Sequence, residues 1–218
     1  MPLTKDKIVV NAPYSDNVIK LEEIYLNLEN QTFIAGGIPE EFFENKKVKN
    51  IDLLRQEELT ILNAVPTAEG TIKVAIEETE ITIHEANIMV LGFGRIGKIL
   101  CKSFKNLGAN VYCAARKQED LTWIREEGYI PVTYKGLENY VKDIDIIVNT
   151  VPSLVIGENV LKLLKKDCLI IDVASNPGGV DKNMAKIYKI RVITALGLPG
   201  EIAPKTAAKY IKEIIEKL

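Results

Sequence analysis

The second half of the chain alternates between short apolar runs and stretches whose apolar residues recur at helical spacing. Ile88–Leu91 is the clearest run, and because it stops at Gly92 it predicts a buried parallel strand. Helical spacing follows over Arg95–Leu107, with Gly108 as the expected C-terminal cap. Further elements are predicted in the order strand Asn110–Ala114, helix Asp120–Glu127, strands Tyr129–Val132 and Ile144–Val148, helix Glu158–Leu164, strand Cys168–Val173, helix Asp181–Tyr188 and strand Arg191–Ile193. This alternation indicates an α/β fold with a doubly wound parallel sheet.

The residues before this region carry a weaker pattern that predicts a second, smaller and incomplete α/β domain. Its expected elements are strands at Lys7–Val10 and Thr32–Ala35 and helices at 17–28, 38–44 and 53–59. A long helix is expected from Thr67 to about Glu78, and apolar residues at helical spacing predict a last helix over Pro204–Leu218. The expected division is a partial N-terminal domain on the substrate side (1–66), a connecting helix (67–86), the doubly wound domain (87–203) and a C-terminal helix that packs back on the first domain (204–218).

Composition and charge narrow the functional classes. A net charge of −2, with acids and bases interspersed, gives no indication of binding to nucleic acid or to an anionic membrane. No apolar run approaches the roughly 18 residues that span a bilayer, and the N-terminal residues lack a signal-peptide pattern. Cys101, Cys113 and Cys168 are widely spaced, which suits a reducing cytoplasm and offers no metal-ligand pair. The single histidine, His84, is expected to be structural.

Gly92, Gly94 and Gly97 form a G-x-G-x-x-G sequence between the first strong strand and the helix that follows it. In that context the first glycine permits a tight turn, the second lets the backbone approach a pyrophosphate, and the third lets the helix pack close to the strand. The amides of the first helical turn, including Arg95 and Ile96, would then bind phosphate at the positive end of the helix dipole. The pattern predicts a Rossmann-type dinucleotide site, and the alternative is a glycine-rich turn without a ligand.

The end of the second strand of this domain bears on which dinucleotide binds. Sites that prefer NAD place an acid about 20 residues after the glycines, where it binds the ribose 2′-hydroxyl. Here the segment is Ala115, Arg116 and Lys117, which has two cations and no acid. A guanidinium fork and an ammonium group match a 2′-phosphate, so the sequence favours NADP over NAD. The alternative is an ordinary solvated pair of cations at a strand end.

Two more strand ends are expected at the same edge of the sheet, where doubly wound folds bind their ligands. The residues predicted to contact the cofactor there are Asn149, Thr150, Val151, Pro152 and Val173. Ser175, which follows the fifth strand, is a candidate for binding the substrate. The alternative is that these are turn residues only, because Asn, Ser and Pro favour turns in any case.

Five segments of the chain carry a resemblance to one family. They are Asn63–Ile72, Val90–Gly97, Asp143–Pro152, Asp172–Gly179 and Gly197–Ala207. Together they resemble the A subunits of dipicolinate synthase, from about residue 63 to the end and more loosely before it. The glycine loop is common to many dehydrogenases, whereas the segments at 66–70, 175–179 and 197–200 are much more specific. Family members carry additional residues before the point where this chain begins, which suggests a shortened form.

The resemblance implies the last step of dipicolinic acid synthesis in spore-forming bacteria, in the cytoplasm of the mother cell. A dihydro- or hydroxytetrahydro-dipicolinate would be oxidised to pyridine-2,6-dicarboxylate with NADP as the redox cofactor. The resemblance also implies a second component, the flavoprotein B subunit of dipicolinate synthase with FMN, and a homo-oligomer is expected.

A dianionic substrate requires cations or N–H donors, and the matched motifs offer both. Lys205 and Thr206 stand at the expected start of the last helix, and Thr67 and Gly70 at the expected start of the connecting helix. Lys205 is assigned a catalytic role, and Glu69 is the nearest carboxylate for a general base. The alternatives are a solvated lysine in a first helical turn and an acid that favours the helix dipole.

Two other functions remain open on the sequence. One is a two-domain dehydrogenase of the shikimate or alanine dehydrogenase kind, acting on another small carboxylate, although the specific segments at 175–179 and 197–200 argue against it. The other is a nucleotide-binding protein that has no chemistry of its own and positions NADP for a flavoprotein. Binding of the cofactor without turnover would distinguish the second function from an enzyme.

Overall fold

The structure of the protein is a computed structural model that describes residues 2–4, 7–9, 32–35 and 49–218. The chain divides into a smaller unit, Met1–Leu62 with Ala208–Leu218, and a larger unit, Asn63–Ala207. The helices predicted at 17–28 and 38–44 lie outside the described residues. Within the described part of the chain, no helix combines the length and apolar character needed to cross a lipid bilayer.

Strands and helices alternate along the described residues. The strands are β1 (Pro2–Thr4), β2 (Lys7–Val9), β3 (Thr32–Ala35), β4 (Lys49–Asp52), β5 (Asn87–Leu91), β6 (Asn110–Ala115), β7 (Ile130–Thr133), β8 (Ile146–Asn149), β9 (Leu169–Asp172) and β10 (Arg191–Thr194). The helices are α1 (Glu57–Glu77), α2 (Arg95–Asn106), α3 (Gln118–Glu126), α4 (Glu158–Leu161), α5 (Lys182–Tyr188), α6 (Leu198–Ile202) and α7 (Pro204–Lys217). Short 3₁₀ helices lie at Leu53–Arg55, Tyr134–Asn139 and Val141–Asp143.

The smaller unit is built on a sheet in the order β1-β2-β3-β4. The first pair of strands is antiparallel, and the other two pairs are parallel. An apolar cluster joins Leu53 and Leu59 to Ile214 and Ile215 of α7. Because these side chains are buried against one another, the first turn of α1 and the last turns of the chain belong to the same unit.

The larger unit contains a six-stranded sheet in the order β10-β9-β8-β5-β6-β7, in which every pair is parallel. The winding reverses between β5 and β8, and such a reversal opens a ligand crevice beyond the carboxyl ends of the strands. The register pairs Leu91 with Ala114 and Asn149, and Asn149 in turn with Asp172. The residues that follow β5, β6, β8 and β9 therefore meet at one edge of the sheet, as predicted for a Rossmann-type domain.

Both faces of this sheet are covered. Ile88 and Val90 belong to one apolar layer, which α1, α2 and α3 complete, and Met89 and Leu91 belong to the opposite layer, which α4 and α5 complete. All four of these side chains are buried. Burial on both faces explains why the strands are continuous apolar runs and do not alternate with polar residues.

The predicted alternation of strands and helices in this unit is confirmed, but the start of α1 was predicted wrongly. The helix begins at Glu57, not at Thr67, and contains Pro66 in its interior. Proline removes one helical hydrogen bond. The helix nevertheless continues through Pro66, because apolar side chains both before it (Leu59 and Ala64) and after it (Ala68) are buried. The strands β1 and β4 and the short helix α6 were not predicted.

The single histidine is exposed and lies against a glycine, whereas the cysteines are buried. The ring of His84 lies against Gly108, where an added Cβ would be 3.2 Å from the ring carbon Cγ. Cys101, Cys113 and Cys168 are free and buried, and burial raises the pKa of Cys168 to about 12, so that this thiol stays neutral at physiological pH. Within the described residues, no group of three or more His, Cys, Asp or Glu side chains is arranged to hold a metal ion.

Candidate functional site

The loop after β5 adopts a conformation that glycine tolerates best. Gly92 has a φ of +100°, in the region that disfavours residues with a Cβ. The hydroxyl of Thr150 donates to the carbonyl oxygen of Leu91 over 2.8 Å and occupies the space that a Cβ at Gly92 would need. The Gly92 amide donates to the carbonyl oxygen of Ala114 over 2.9 Å. The loop is thereby fixed to β6 and to the segment that follows β8.

The other two glycines of the motif have different surroundings. An added Cβ at Gly97 would collide with the carbonyl oxygen of Gly92 and lie 2.9 Å from its carbonyl carbon, whereas one at Gly94 would meet no atom within 4 Å. Gly94 is the N-cap of α2 and provides no side-chain cap, and the Lys98 amide donates to its carbonyl oxygen over 2.9 Å. The amides of Ile96 and Gly97 precede that bond, so they remain available to an anion. The open space and the helix N-terminus fit a pyrophosphate.

A cavity of about 330 Å³ lies beside this loop, at the carboxyl ends of β6, β7 and β8. Its lining residues are Arg116, Tyr134, Val151, Ser153, Leu154 and Val155. Its wall adjoins the glycine loop, because Val151 Cγ2 would lie 3.1 Å from a Cβ at Gly92. Ligand cavities start at about 300 Å³, and apolar walls with a few polar groups are typical of them. The cavity fits the nucleoside end of a dinucleotide whose phosphates lie at the loop.

Arg116 and Tyr134 give the cavity its polar side. The Tyr134 hydroxyl donates to the carbonyl oxygen of Ala114 over 3.4 Å. Burial raises the pKa of Tyr134 to about 12, and the positive charge of Arg116, which lines the same cavity, opposes that rise. The phenol therefore stays neutral at physiological pH, and Arg116 brings a positive charge to the cavity. Lys117 is exposed and is not among the lining residues.

Several lining residues escaped the sequence analysis. Tyr134 follows the third strand of the domain, and Ser153, Leu154 and Val155 continue the loop that begins with Asn149–Pro152, the residues predicted to contact the cofactor. The signal for them was present, because residues just beyond the carboxyl ends of parallel strands are expected to line the crevice.

Asn149, predicted to contact the cofactor, lies completely buried at the end of β8. Its side-chain amide donates to the carbonyl oxygen of Val151 over 3.0 Å and to the Asp172 carboxylate over 2.8 Å. Its side-chain oxygen accepts from the Val151 amide over 3.1 Å. These bonds engage both the nitrogen and the oxygen of the side-chain amide, and they fix the turn that places Val151 in the cavity wall. Direct contact of Asn149 with a cofactor stays a prediction.

The end of β9 places the remaining predicted residues near this turn. Val173 is buried, and its amide donates to the carbonyl oxygen of Asn149 over 3.0 Å. Ser175 is exposed, and its carbonyl oxygen accepts from the Gly178 amide over 2.9 Å. Pro152 is also exposed, next to the cavity-lining segment. Backbone contact of these residues with a ligand stays a prediction, and their placement at the carboxyl edge of the sheet is compatible with it.

The structure brings together two of the motifs predicted to bind the substrate. An added Cβ at Gly70 would lie 3.0 Å from Ile202 Cγ1 and 3.1 Å from Leu198 Cβ, so α1 and α6 pack closely at this point. The helix α6 ends just before α7, whose first turn carries Lys205 and Thr206, both exposed. Gly70 therefore allows the 66–70 segment to lie next to the 197–200 segment.

The expectation that Thr67 and Gly70 offer amides at a helix start was wrong. Both lie inside α1, where backbone amides bond within the helix. The Thr67 hydroxyl donates to the carbonyl oxygen of Asn63 over 2.7 Å. Glu69 lies on the same turn and is exposed, so its carboxylate is accessible. A role for Thr67 or Gly70 in binding the substrate stays a prediction, but free amides at a helix start no longer support it.

Comparisons with known proteins agree with this geometry. Residues 64–198 match the family described as D-isomer specific 2-hydroxyacid dehydrogenase, NAD binding domain. The A subunit of dipicolinate synthase from Bacillus subtilis (strain 168) is 38% identical over 215 residues, which cover 96% of this chain and 72% of that protein. The crystal structure of the dipicolinate synthase A subunit from Bacillus halodurans matches with a TM-score of 0.89 at 32% identity and covers 97% of this chain and 79% of that chain. An L-alanine dehydrogenase structure, with a TM-score of 0.69 at 14% identity over 96% of this chain and 69% of its own, shares the fold alone.

Proposed function

The chain belongs to the family of dipicolinate synthase A subunits and carries a dehydrogenase domain of the nicotinamide-dependent type; from this premise we propose that it oxidises dihydrodipicolinate, or its hydroxytetrahydro precursor, to pyridine-2,6-dicarboxylate with NADP. The observation that supports NADP most directly is Arg116 in the wall of the cavity beside the glycine loop. An acid at this strand end would repel a 2′-phosphate, whereas a guanidinium binds it through two parallel hydrogen bonds.

The reaction on dihydrodipicolinate is a two-electron oxidation in which a hydride and a proton leave neighbouring positions of the ring. The hydroxytetrahydro precursor must also lose one molecule of water. When bound, the nicotinamide accepts the hydride. The chain holds the dinucleotide through the amides at the start of α2 and through the cavity formed by Arg116 and Tyr134. Correct placement of two reacting groups removes several kcal/mol of the barrier, and formation of the aromatic ring supplies the driving force.

The chain must also bind two substrate carboxylates and accept a proton. Lys205 and Thr206 in the first turn of α7, together with Ser175, supply exposed cationic and hydroxyl groups for the carboxylates. Glu69 is an exposed acid on α1, one residue before Gly70, which packs against α6, and it serves as the general base in this proposal. The proton from the ring then moves to a Glu69 carboxylate oxygen and from there to solvent.

The cofactor preference is tested by Arg116→Asp. We expect the affinity for NADP to fall by about tenfold to a hundredfold, because a charge-assisted hydrogen bond is lost and an acid faces the phosphate. The affinity for NAD should stay the same or rise. Fluorescence titration with the reduced forms, NADPH and NADH, measures both constants, with Arg125→Asp as the control, because Arg125 is exposed on α3 outside the cavity. Equal losses for NADP and NAD would exclude a role for Arg116 in recognising the 2′-phosphate.

The general base is tested by Glu69→Gln. A general base typically contributes a factor of about 10² to 10⁴, so we expect turnover to fall at least about a hundredfold while the affinity for NADP is unchanged. Glu77→Gln is the matched control, because Glu77 is an exposed acid on the same helix, paired with Lys73 over 3.6 Å. Steady-state rates measure the effect. Full residual activity of Glu69→Gln would remove Glu69 as the base.

The reaction itself is tested by following dipicolinate formation through ultraviolet absorbance. The purified chain receives the product of dihydrodipicolinate synthase with either NADP or NAD, in the presence and absence of the flavoprotein B subunit. Formation of the product with NADP supports the proposed reaction. Dependence on the flavoprotein would indicate that its FMN takes part in the electron transfer.

A second candidate function is a nucleotide-binding component without catalysis of its own. This function is favoured because a cavity lies beside the glycine loop, whereas Glu69 and Lys205, the residues proposed for the chemistry, are exposed and are not among the residues that line it. In that case the chain binds NADP but forms no product alone, and turnover requires the partner. The Bacillus subtilis relative is named as one of the subunits of a synthase, which supports a partner for this chain. A homo-oligomer in the cytoplasm of the mother cell is part of the same proposal, and a sedimentation measurement tests the oligomer.

A further inference from the structure

The Ser-Asn-Pro-Gly-Gly segment at 175–179 is specific to the family resemblance, yet the proposed chemistry uses only its first residue. Its last residue is enclosed by side-chain and backbone atoms of the segment that follows β8. An added Cβ at Gly179 would lie 2.7 Å from the carbonyl oxygen of Val151 and 2.9 Å from Cγ of Asn149. No substitution larger than a hydrogen fits there without a shift of that segment.

The backbone amide and the carbonyl oxygen of Gly179 both form hydrogen bonds. Its amide donates to the Asp172 carboxylate over 3.1 Å. Its carbonyl oxygen accepts from the amides of Val155 and Ile156, each over 2.9 Å. Because Val155 lines the cavity, these bonds fix the far end of the cavity-lining loop to the segment after β9.

The near end of the same loop is fixed by Asn149, whose side chain bonds to both the amide and the carbonyl oxygen of Val151. Asn149 is itself held by its 2.8 Å bond to Asp172. Asp172 accepts a further bond from the Ala174 amide over 3.2 Å, and only 1% of its surface is accessible. A buried carboxylate with three donors thus links both ends of the loop, although Asn149 and Asp172 are distant from each other in sequence.

We propose that Asn149, Asp172 and Gly179 form a brace that positions the 151–155 wall of the nucleotide cavity, and that Asp172 and Gly179 act on cofactor binding through this wall without touching the cofactor. The inference rests on the proposed nucleotide function of that cavity. It assigns a role to the last glycine of the 175–179 motif, and it makes Asp172 a positioning residue. The exposed tip of the motif, Ser175–Pro177, remains accessible to the substrate.

The test uses Asp172→Asn in the full chain. Asparagine keeps the shape of the side chain. In either orientation of its amide, however, the NH₂ group faces an N–H group that donates a hydrogen bond to the carboxylate in the unaltered chain. We expect hydrogen exchange at the amides of Val151, Val155 and Ile156 to accelerate by about tenfold or more without nucleotide. We expect the dissociation constant for NADPH, measured by its fluorescence, to rise by about tenfold.

The matched control is Asp145→Asn. Asp145 also has a carboxylate that holds neighbouring elements, since it accepts from the Asn87 amide over 2.7 Å and pairs with Lys165. It lies at the opposite, amino-terminal edge of the sheet, where Asn87 begins β5. We expect this variant to lose stability, with less than about a twofold change in NADPH affinity. Should Asp172→Asn not fold by circular dichroism, Asn149→Ala replaces it with the same expected changes.

The outcomes separate the brace from the proposed function. Faster loop exchange together with weaker NADPH binding, both absent in the Asp145 control, supports the inference. Faster exchange with unchanged NADPH affinity overturns the cofactor role of the brace, and unchanged exchange overturns the brace itself. If the unaltered chain binds neither NADPH nor NADH, the nucleotide function of the cavity fails and the inference fails with it, whatever the exchange rates.

Discussion

Gly97→Ala is expected to destabilise the larger unit by about 3 kcal/mol, because overpacking at a rigid contact has costs of this order. The added methyl group would collide with the carbonyl oxygen of Gly92 and approach its carbonyl carbon to 2.9 Å. Both are backbone atoms of a loop already fixed by Thr150 and by β6, so neither can rotate away. The helix α2 must instead move away from the loop, and its N-terminal amides leave the position proposed for the pyrophosphate. Chemical unfolding and titration with NADPH measure the two effects.

Gly94→Ala is the control that separates packing from ligand binding. Its added methyl group would meet no protein atom within 4 Å, so the free energy of unfolding should change by no more than about 0.5 kcal/mol. The methyl group occupies the open space proposed for the phosphates, so NADPH affinity should still fall. A stable Gly94→Ala variant that binds NADPH normally would contradict the placement of the pyrophosphate over this glycine. A Gly97→Ala variant as stable as the unaltered chain would contradict the packing argument.

Gly179→Ala is expected to have the second largest effect, with a loss of about 2 to 3 kcal/mol in the free energy of unfolding. The methyl group would enter the space between the Asn149 side chain and the carbonyl oxygen of Val151. Relief of that collision requires the 151–155 segment to move, which alters the wall of the cavity. We therefore expect NADPH affinity to fall by about tenfold as well. Denaturant unfolding and fluorescence titration of one preparation measure both quantities.

Gly200→Ala provides the control for this second prediction. Gly200 lies in α6, and an added Cβ there would meet no atom within 4 Å. Alanine favours helices over glycine by up to about 1 kcal/mol, so this variant should be as stable as the unaltered chain or slightly more stable. Its NADPH affinity should be unchanged. If both variants weaken NADPH binding equally, the effect of Gly179→Ala does not arise from the loop after β8.

Local patterns in the sequence were sufficient to predict the Rossmann-type sheet and the nature of its loop. Ile88–Leu91 is apolar throughout because it is covered on both faces, and the glycine spacing before α2 reflects a turn whose steric demands are local. The cation at Arg116 could be assigned to the crevice for the same reason, because the residue after a parallel strand has a known place at the sheet edge. Periodicity failed at Pro66, where burial on both sides of the residue maintains a helix that local preference would begin later.

The sequence by itself therefore determined most elements of the larger unit, the glycine loop and the positive charge near it, because each depends on neighbours within a few residues. The tertiary structure alone decided that Tyr134 and Leu154 share a cavity with Arg116. It also decided that Asn149 bonds to Asp172 from the adjacent strand. Such contacts depend on the strand order and register, which are set by how the apolar layers pack on both faces of the sheet. No pattern within one segment encodes them, and the wall of the site is built from them.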